Sequence, residues 1–389
     1  MKSSRGLCWL VAIGCASVGG QARADPLRVR GDALAESRAP AGLVVLQGQD
    51  RKYPWVDAEA LVWAGARSDA TADVLTLALR LRAPRGVGEL RVGRFVYASG
   101  AIRPMPIDGA SAIGRAPWGL SGEVFAGLPV VPRFAATGHD QVAGGRIAQA
   151  FASKATLGAS YVEQRLRGRM ASQEIGADLA AVPVTALDLA ARGAYDLVSL
   201  GIADALVSAA TRVGSYRLEL FATHRSPSRL LPATSLFSVL GDYPSQVLGG
   251  TIRWDAAPRL DLWLSGGGQD IGGELGGYAS LRGTLRLDDA GAGSVGVELK
   301  RQDVAGARWT GVRTILTEPV ISHLRVSTEL EIATGETTTG SATWPWGLLA
   351  LAWRPPRWEA SAAIEAGSSP RYQFEVNGLL RIARSFDFP

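Results

Sequence analysis

Cysteine is confined to the start of the chain. Its two cysteines are Cys8 and Cys15, both inside what reads as an export leader. Processing after Ala24 leaves no thiol, so the remainder can form no disulfide and no thiolate metal site. Lysine is nearly absent as well: beyond the leader only Lys52, Lys154 and Lys300 occur. Removing Lys2, Arg5 and Arg23 with the leader takes the 41 basic residues to 38, against 36 acidic. That balance gives no electrostatic case for nucleic-acid binding. No later segment approaches the ~18 uninterrupted apolar residues of a membrane-spanning helix. Gly-x-Ser-x-Gly, Walker and HExxH patterns are missing. Acidic residues do not cluster at calcium-loop spacing, so neither metal nor cofactor is expected.

Histidine is scarce, with three copies at His139, His224 and His323. Barrel-mounted hydrolases pair a histidine with serine or aspartate. Here His139 adjoins Asp140, and His224 adjoins Arg225 and Ser226 at the start of the largest expected loop. Neither has a recognisable partner spacing, and His323 is expected in a lumen far from both. The chain is therefore not expected to be an enzyme.

The leader has a basic start at Lys2 and Arg5, a short apolar core from Leu7 to Gly14, and Ala22-Arg23-Ala24 as a small-x-small cleavage pattern. Residues 1–24 are read as a signal peptide and 25–389 as one domain. A lipid-modified Cys15 is the rival reading, but Ala12 stands where a lipobox has leucine.

The dominant feature is alternation with period two. Leu75, Leu77, Leu79 and Leu81 oppose Thr76, Ala78, Arg80 and Arg82; Val295, Val297 and Leu299 oppose Glu298 and Lys300. Leu324, Val326, Leu330 and Ile332 oppose Arg325, Glu329 and Glu331, and Trp358, Ala360, Ala362 and Ile364 oppose Glu359 and Glu365. Successive side chains point to opposite faces only in a strand. The segments run ~10 residues, the length of a tilted membrane-crossing strand. Trp254, Trp353 and Trp358 beside turns, with Tyr372 and Phe374 at the other end, fit interfacial aromatic girdles.

About twenty such strands are expected between 54 and 383. A further pair at 27–36 and 41–48 makes about twenty-two, and the range is 18–22. Tight turns are expected at Val182-Pro183, Asp255 to Pro258, Thr317 to Pro319 and Arg354 to Arg357. Longer loops are expected at 266–274, 301–307, 334–341 and, above all, 223–246. The glycines at 266–268 and 272–273 read as a flexible outer loop. Residues 384–389 are left as a tail. The fold expected is all-β, a transmembrane antiparallel up-and-down barrel with short periplasmic turns and longer extracellular loops.

If the barrel closes, Arg217, Glu219, Arg253, Asp255, Arg282, Arg286, Glu298, Lys300, Arg313, Arg325, Glu329 and Glu331 face its lumen, because an Arg or Lys facing lipid at midplane costs ~2–4 kcal/mol. They read either as a salt-bridge ladder stiffening the wall or as an arginine ladder guiding polar or anionic solutes. Segments 100–118, 128–139 and 223–246 carry prolines and apolar residues unsuited to a wet surface. One of them is expected to fold inward as a constriction.

These features, with the alternation of Phe374, Val376, Leu380 and Ile382 before Phe386-Asp387-Phe388, resemble porin-type or polysaccharide-export-type outer-membrane barrels of Gram-negative bacteria. The resemblance is architectural. It implies an outer-membrane location, outer-membrane lipid and the barrel-assembly machinery as partners, and passive passage of polar solutes. A conduit for polysaccharide export and a plugged structural or adhesion barrel of a surface complex are the alternatives; oligomeric state stays open.

Overall fold

A computed structural model describes residues 27–37, 41–53, 55–66, 70–130, 140–152, 154–226, 244–289, 291–304, 307–337, 340–369 and 372–388. They form β1 (Leu27–Glu36), β2 (Ala41–Tyr53), β3 (Val56–Ala66), β4 (Ala70–Arg82), β5 (Gly88–Ser99), β6 (Ile102–Arg115), β7 (Leu120–Pro129) and β8 (Gln141–Phe151). There follow β9 (Ala155–Leu166), β10 (Arg169–Val184), β11 (Leu187–Asp196), β12 (Gly201–Val213), β13 (Tyr216–Arg225), β14 (Ser245–Ala257) and β15 (Leu260–Ile271). The last are β16 (Glu274–Arg286), β17 (Ser294–Val304), β18 (Ala307–Ile321), β19 (Leu324–Thr337), β20 (Gly340–Trp353), β21 (Trp358–Ser369) and β22 (Tyr372–Phe388).

Each strand pairs antiparallel with the next, and β1 pairs with β22 from Leu27↔Phe388 to Glu36↔Leu379. The sheet is thus a closed 22-stranded up-and-down barrel. Closure leaves no free edge running the length of the sheet, which is the condition for spanning lipid with strands. The 27–36 and 41–48 pair belongs to the wall. So does the expected tail, since Ser385 to Phe388 extend β22 along β1.

We call the rim where β1 starts the lower rim. Several expected loops are strand instead. Gly266–Gly268 lie inside β15, and only Gly272-Gly273, both at positive φ, make the turn to β16. β17 to β18 and β19 to β20 likewise turn within two residues. Expected turns shift too: Val182-Pro183 sit at a bulge within β10, β14 continues to Ala257, and β18 continues to Ile321. Polar residues misled the reading there, because strands that rise beyond the lipid band carry polar side chains on both faces. The longest connections, β7 to β8 and β13 to β14, are both at the upper rim.

Alternation sorts the side chains. Leu218, Leu220, Leu248, Ile252, Leu281, Leu299, Leu330 and Ile364 lie exposed on the outer face, Leu220 at 69 %. Apolar exposure of this extent suits hydrocarbon and not water. Trp55, Trp118, Trp254, Trp353 and Trp358 edge the band near the lower rim, and Tyr216 stacks on Trp254 at 5.5 Å.

Candidate pore and its constriction

Register aligns the inner face into rows. One row runs Arg217↔Arg253↔Trp263↔Arg282↔Glu298↔Arg313↔Glu331↔Trp346 across β13 to β20. Glu219, Asp255, Lys300 and Glu329 stand two residues along their strands from members of this row, Arg286 stands four from Arg282, and Arg325 four from Glu329, hence all on the same face. Some of these charges pair: Arg286 with Asp261 at 2.8 Å, Lys300 with Glu298 at 3.0 Å, and Arg313 with Glu329. Arg253 spans Asp255 at 3.4 Å and Asp261 at 3.8 Å. Among the described residues Arg217, Glu219, Arg282 and Arg325 make no ion pair. The wall therefore combines a partial salt-bridge network with unpaired arginines.

Aromatic residues also line this wall, and the sequence reading did not single out which ones. Trp263 shares the face of Arg253 and Arg282, and half of it is exposed (49 %). Trp346 lies under the Arg313 guanidinium at 5.7 Å. Trp309 and Trp344 follow the same parity. Tryptophans here are not restricted to girdles.

The opposite wall is covered. β5 and β6 pair with each other up to Ser99↔Ile102, around a Gly100-Ala101 turn with Gly100 at φ 56°. β4, however, pairs with β5 only from Arg82↔Glu89 to Leu77↔Arg94. β7 pairs with β6 only from Arg115↔Ser121 to Ile107↔Pro129. Val130 N–H still reaches the Pro106 carbonyl at 2.9 Å, but the arm from Phe95 to Met105 has no ladder partner on its outer edges, and it folds into the barrel. Gly100 packs against the Arg146 and Asp178 side chains, and Ala101 against Gly176. Tyr97 donates to Glu123 at 3.3 Å and stacks on Phe125 at 4.1 Å. Arg103 pairs with Glu174 on β10. Phe95, Tyr97, Ile102, Met105 and Ile107 form a core with Phe125, Val142 and Val162.

Local sequence explains the departure. Pro104 and Pro106 cannot donate to a ladder, which suits them to a segment unpaired along one edge. Gly93 (φ 121°) faces Gly109, and a Cβ on either would strike backbone oxygen, of Leu77 or of Ala126. The close approach at the bend requires glycine. Those prolines and that glycine pair are the signal that could have located the arm; of the segments expected to turn inward, 100–118 overlaps only its second half, and the β5 half from Phe95 was not foreseen. Residues 131–139, with His139, and 227–243 lie outside the described residues.

Beneath the arm Arg146 grips Asp178 with two bonds, at 2.9 and 2.6 Å, and reaches Glu123 at 3.4 Å. A cavity of about 300 Å³ opens beside its tip, lined by Arg103, Pro104, Arg192, Asp204 and Arg225. His224 also borders this cavity, although its register parity is that of the outer face, with Nε2 3.1 Å from Ser226 Oγ. His323 sits in the β18–β19 turn at φ 68°, at the lower rim and so at the rim opposite His224. The described residues contain no group of three metal-ligating side chains.

This is the fold of Gram-negative outer-membrane β-barrels. Three solved structures show the likeness. The translocation pore of the P pilus usher PapC matches with a TM-score of 0.54 at 10% identity, over 92% of this chain and 98% of that one. The FrpB iron transporter of Neisseria meningitidis (F5-1 variant) matches at 0.59 and 8%, over 93% and 82%. A mutant of the ferric enterobactin receptor PfeA of Pseudomonas aeruginosa matches at 0.61 and 8%, over 93% and 81%. No protein-family model and no curated protein sequence matches the chain. At such identities the shared property is architecture; these relatives in shape are a translocation pore, a transporter and a receptor.

Proposed function

We propose that the chain is an outer-membrane channel for polar, preferentially anionic solutes, narrowed by its own β5–β6 arm. Barrels of ~16–18 strands already hold water, and 22-stranded outer-membrane transporters are wide enough to need a plug. The carrying observation is the row from Arg217 to Trp346: a charged wall, with Arg217 and Arg282 unpaired, faces a lumen that the arm enters from the other side. Unpaired guanidinium groups raise the local anion concentration, as charged rings do in other pores. We place Arg217, Glu219, Arg253, Asp255, Arg282, Arg286, Glu298, Lys300, Arg313, Arg325, Glu329 and Glu331 in that lining.

Planar-bilayer recordings of the refolded protein test this. A steady conductance with a reversal potential on the anion side in a KCl gradient is the expected result. Absence of conductance from protein that shows heat-modifiable migration would sink the channel reading while leaving the barrel intact.

One observation favours passage of carbohydrate as a second reading. Trp263 and Trp346 sit beside arginine and glutamate on the inner wall, a pairing of flat apolar surface and hydroxyl partners that suits sugar rings. Block of the open channel by added oligosaccharide separates it from a pore for simple anions.

A further inference from the structure

The arm and the wall it crosses enclose a basic cavity between them. Arg103 and Pro104 come from the arm, Arg192 from β11, Asp204 from β12 and Arg225 from β13. Register explains the meeting. Asp204 stands opposite Arg225, and Leu206 stands between Arg192 on one side and Thr223 on the other. Thr223 and Arg225 are an even number of residues from Arg217 on β13, so these positions share the face of the lumen row. The volume of about 300 Å³ lies at the lower end of the ~300–1,000 Å³ of known ligand pockets. It suits a compact solute.

Charge there is one-sided. Three guanidinium groups line the cavity against one carboxylate, that of Asp204. Arg192 meets Asp204 only at 3.8 Å, an ion pair without a hydrogen bond. Arg103 donates to Glu174 through Nη2, but its Nε and Nη1 are buried with no hydrogen-bond partner among the described residues. Buried donors without acceptors are costly, and like charges gathered in one cavity oppose the docking of the arm. Oxyanion oxygens answer both. They accept from guanidinium in short charge-assisted bonds, and they cancel the surplus positive charge. A cation would meet net repulsion.

We propose that this cavity is a binding site for a small oxyanion, a carboxylate or a phosphate, which bridges Arg103 of the arm to Arg192 and Arg225 of the wall. The site exists only while the arm lies against the wall. Its ligand therefore binds the docked state and shifts the equilibrium toward it. The solute that a basic lumen attracts thereby also sets how far the arm narrows that lumen. The inference deepens the channel reading and rests on its water-filled lumen, though not on conduction.

Thiol protection in detergent tests it. In the full chain with Cys8→Ser and Cys15→Ser, Pro104→Cys places the one thiol at the exposed edge of the cavity. Its modification by an uncharged maleimide is timed in sodium chloride, sodium succinate or sodium phosphate at equal ionic strength. Succinate or phosphate is expected to slow labelling at least several-fold relative to chloride, and the stronger protector identifies the class of oxyanion. Arg192→Gln and Arg225→Gln should each raise the half-protecting concentration roughly tenfold, as loss of a charge-assisted hydrogen bond does. Met105→Cys, in the same background, reports docking itself, because Met105 is buried under the arm without lining the cavity. The protecting anion should slow its labelling too. Equal rates in all three salts, or protection indifferent to both arginine variants, overturns the site; protection of Pro104→Cys without protection of Met105→Cys overturns the bridge. Heat-modifiable migration of each variant separates these outcomes from loss of the barrel. Labelling needs no current, so a silent bilayer recording would sink the channel reading and leave this test standing.

Discussion

Arg103, five residues before Asp108 on β6, forms an ion pair with Glu174 on β10, and both side chains are almost wholly buried, 13 % and 6 % exposed. The pair ties the arm to β10, four strands along the wall from β6. Breaking such a pair from one side strands a charge, a loss of ~3–5 kcal/mol in comparable cases.

Glu174→Gln should therefore release the arm. Single-channel conductance is expected to rise and to fluctuate between levels. Arg103→Gln together with Glu174→Gln should be quieter than Glu174→Gln alone, since no charge is left unpaired. Identical traces for wild type and Glu174→Gln would show that the arm does not limit the pore.

Gly93→Ala should prevent the bend. A Cβ at this position meets the Leu77 carbonyl, and the backbone is held at φ 121°. The expected outcome is a sharp fall in the heat-modifiable fraction on refolding, whereas Gly48→Ala, where nothing lies within 4 Å of the new Cβ, should refold normally. Equal yields from the two variants would remove the close approach as the reason for glycine.

Thr251 and Ile252 are adjacent on β14 and face opposite ways: Thr251 opposes Glu219 and Ile252 opposes Leu218. Ile252→Arg should cost ~2–4 kcal/mol in denaturant titration into liposomes if near the midplane, because it puts the charge in lipid. Thr251→Arg puts it in water beside Glu219 and should cost well under half as much. A reversed order would mean that the two faces are assigned the wrong way round.

Arg217→Gln and Arg282→Gln remove charges that have no ion-pair partner among the described residues. Reversal potentials are expected to move toward the cation side, additively for the two sites, with little change in stability. Arg286→Gln, whose partner Asp261 is 2.8 Å away, should cost stability as well. Unchanged selectivity in the double variant Arg217→Gln/Arg282→Gln would remove this row from the permeation path.

The alternation of Val295, Val297 and Leu299 with Glu298 and Lys300 was sufficient to assign their faces, because the orientation of neighbouring side chains is a local property of an extended backbone. All-β class, membrane-length strands and the charged inner wall follow from that property. It assigns no partner to a strand. The union of β1 with β22, the bulge at Leu75, and the fold of the β5–β6 arm over to Glu174 depend on which residues stand opposite at the same height. Those residues are up to hundreds of positions away in the chain, so only the closed sheet decided them.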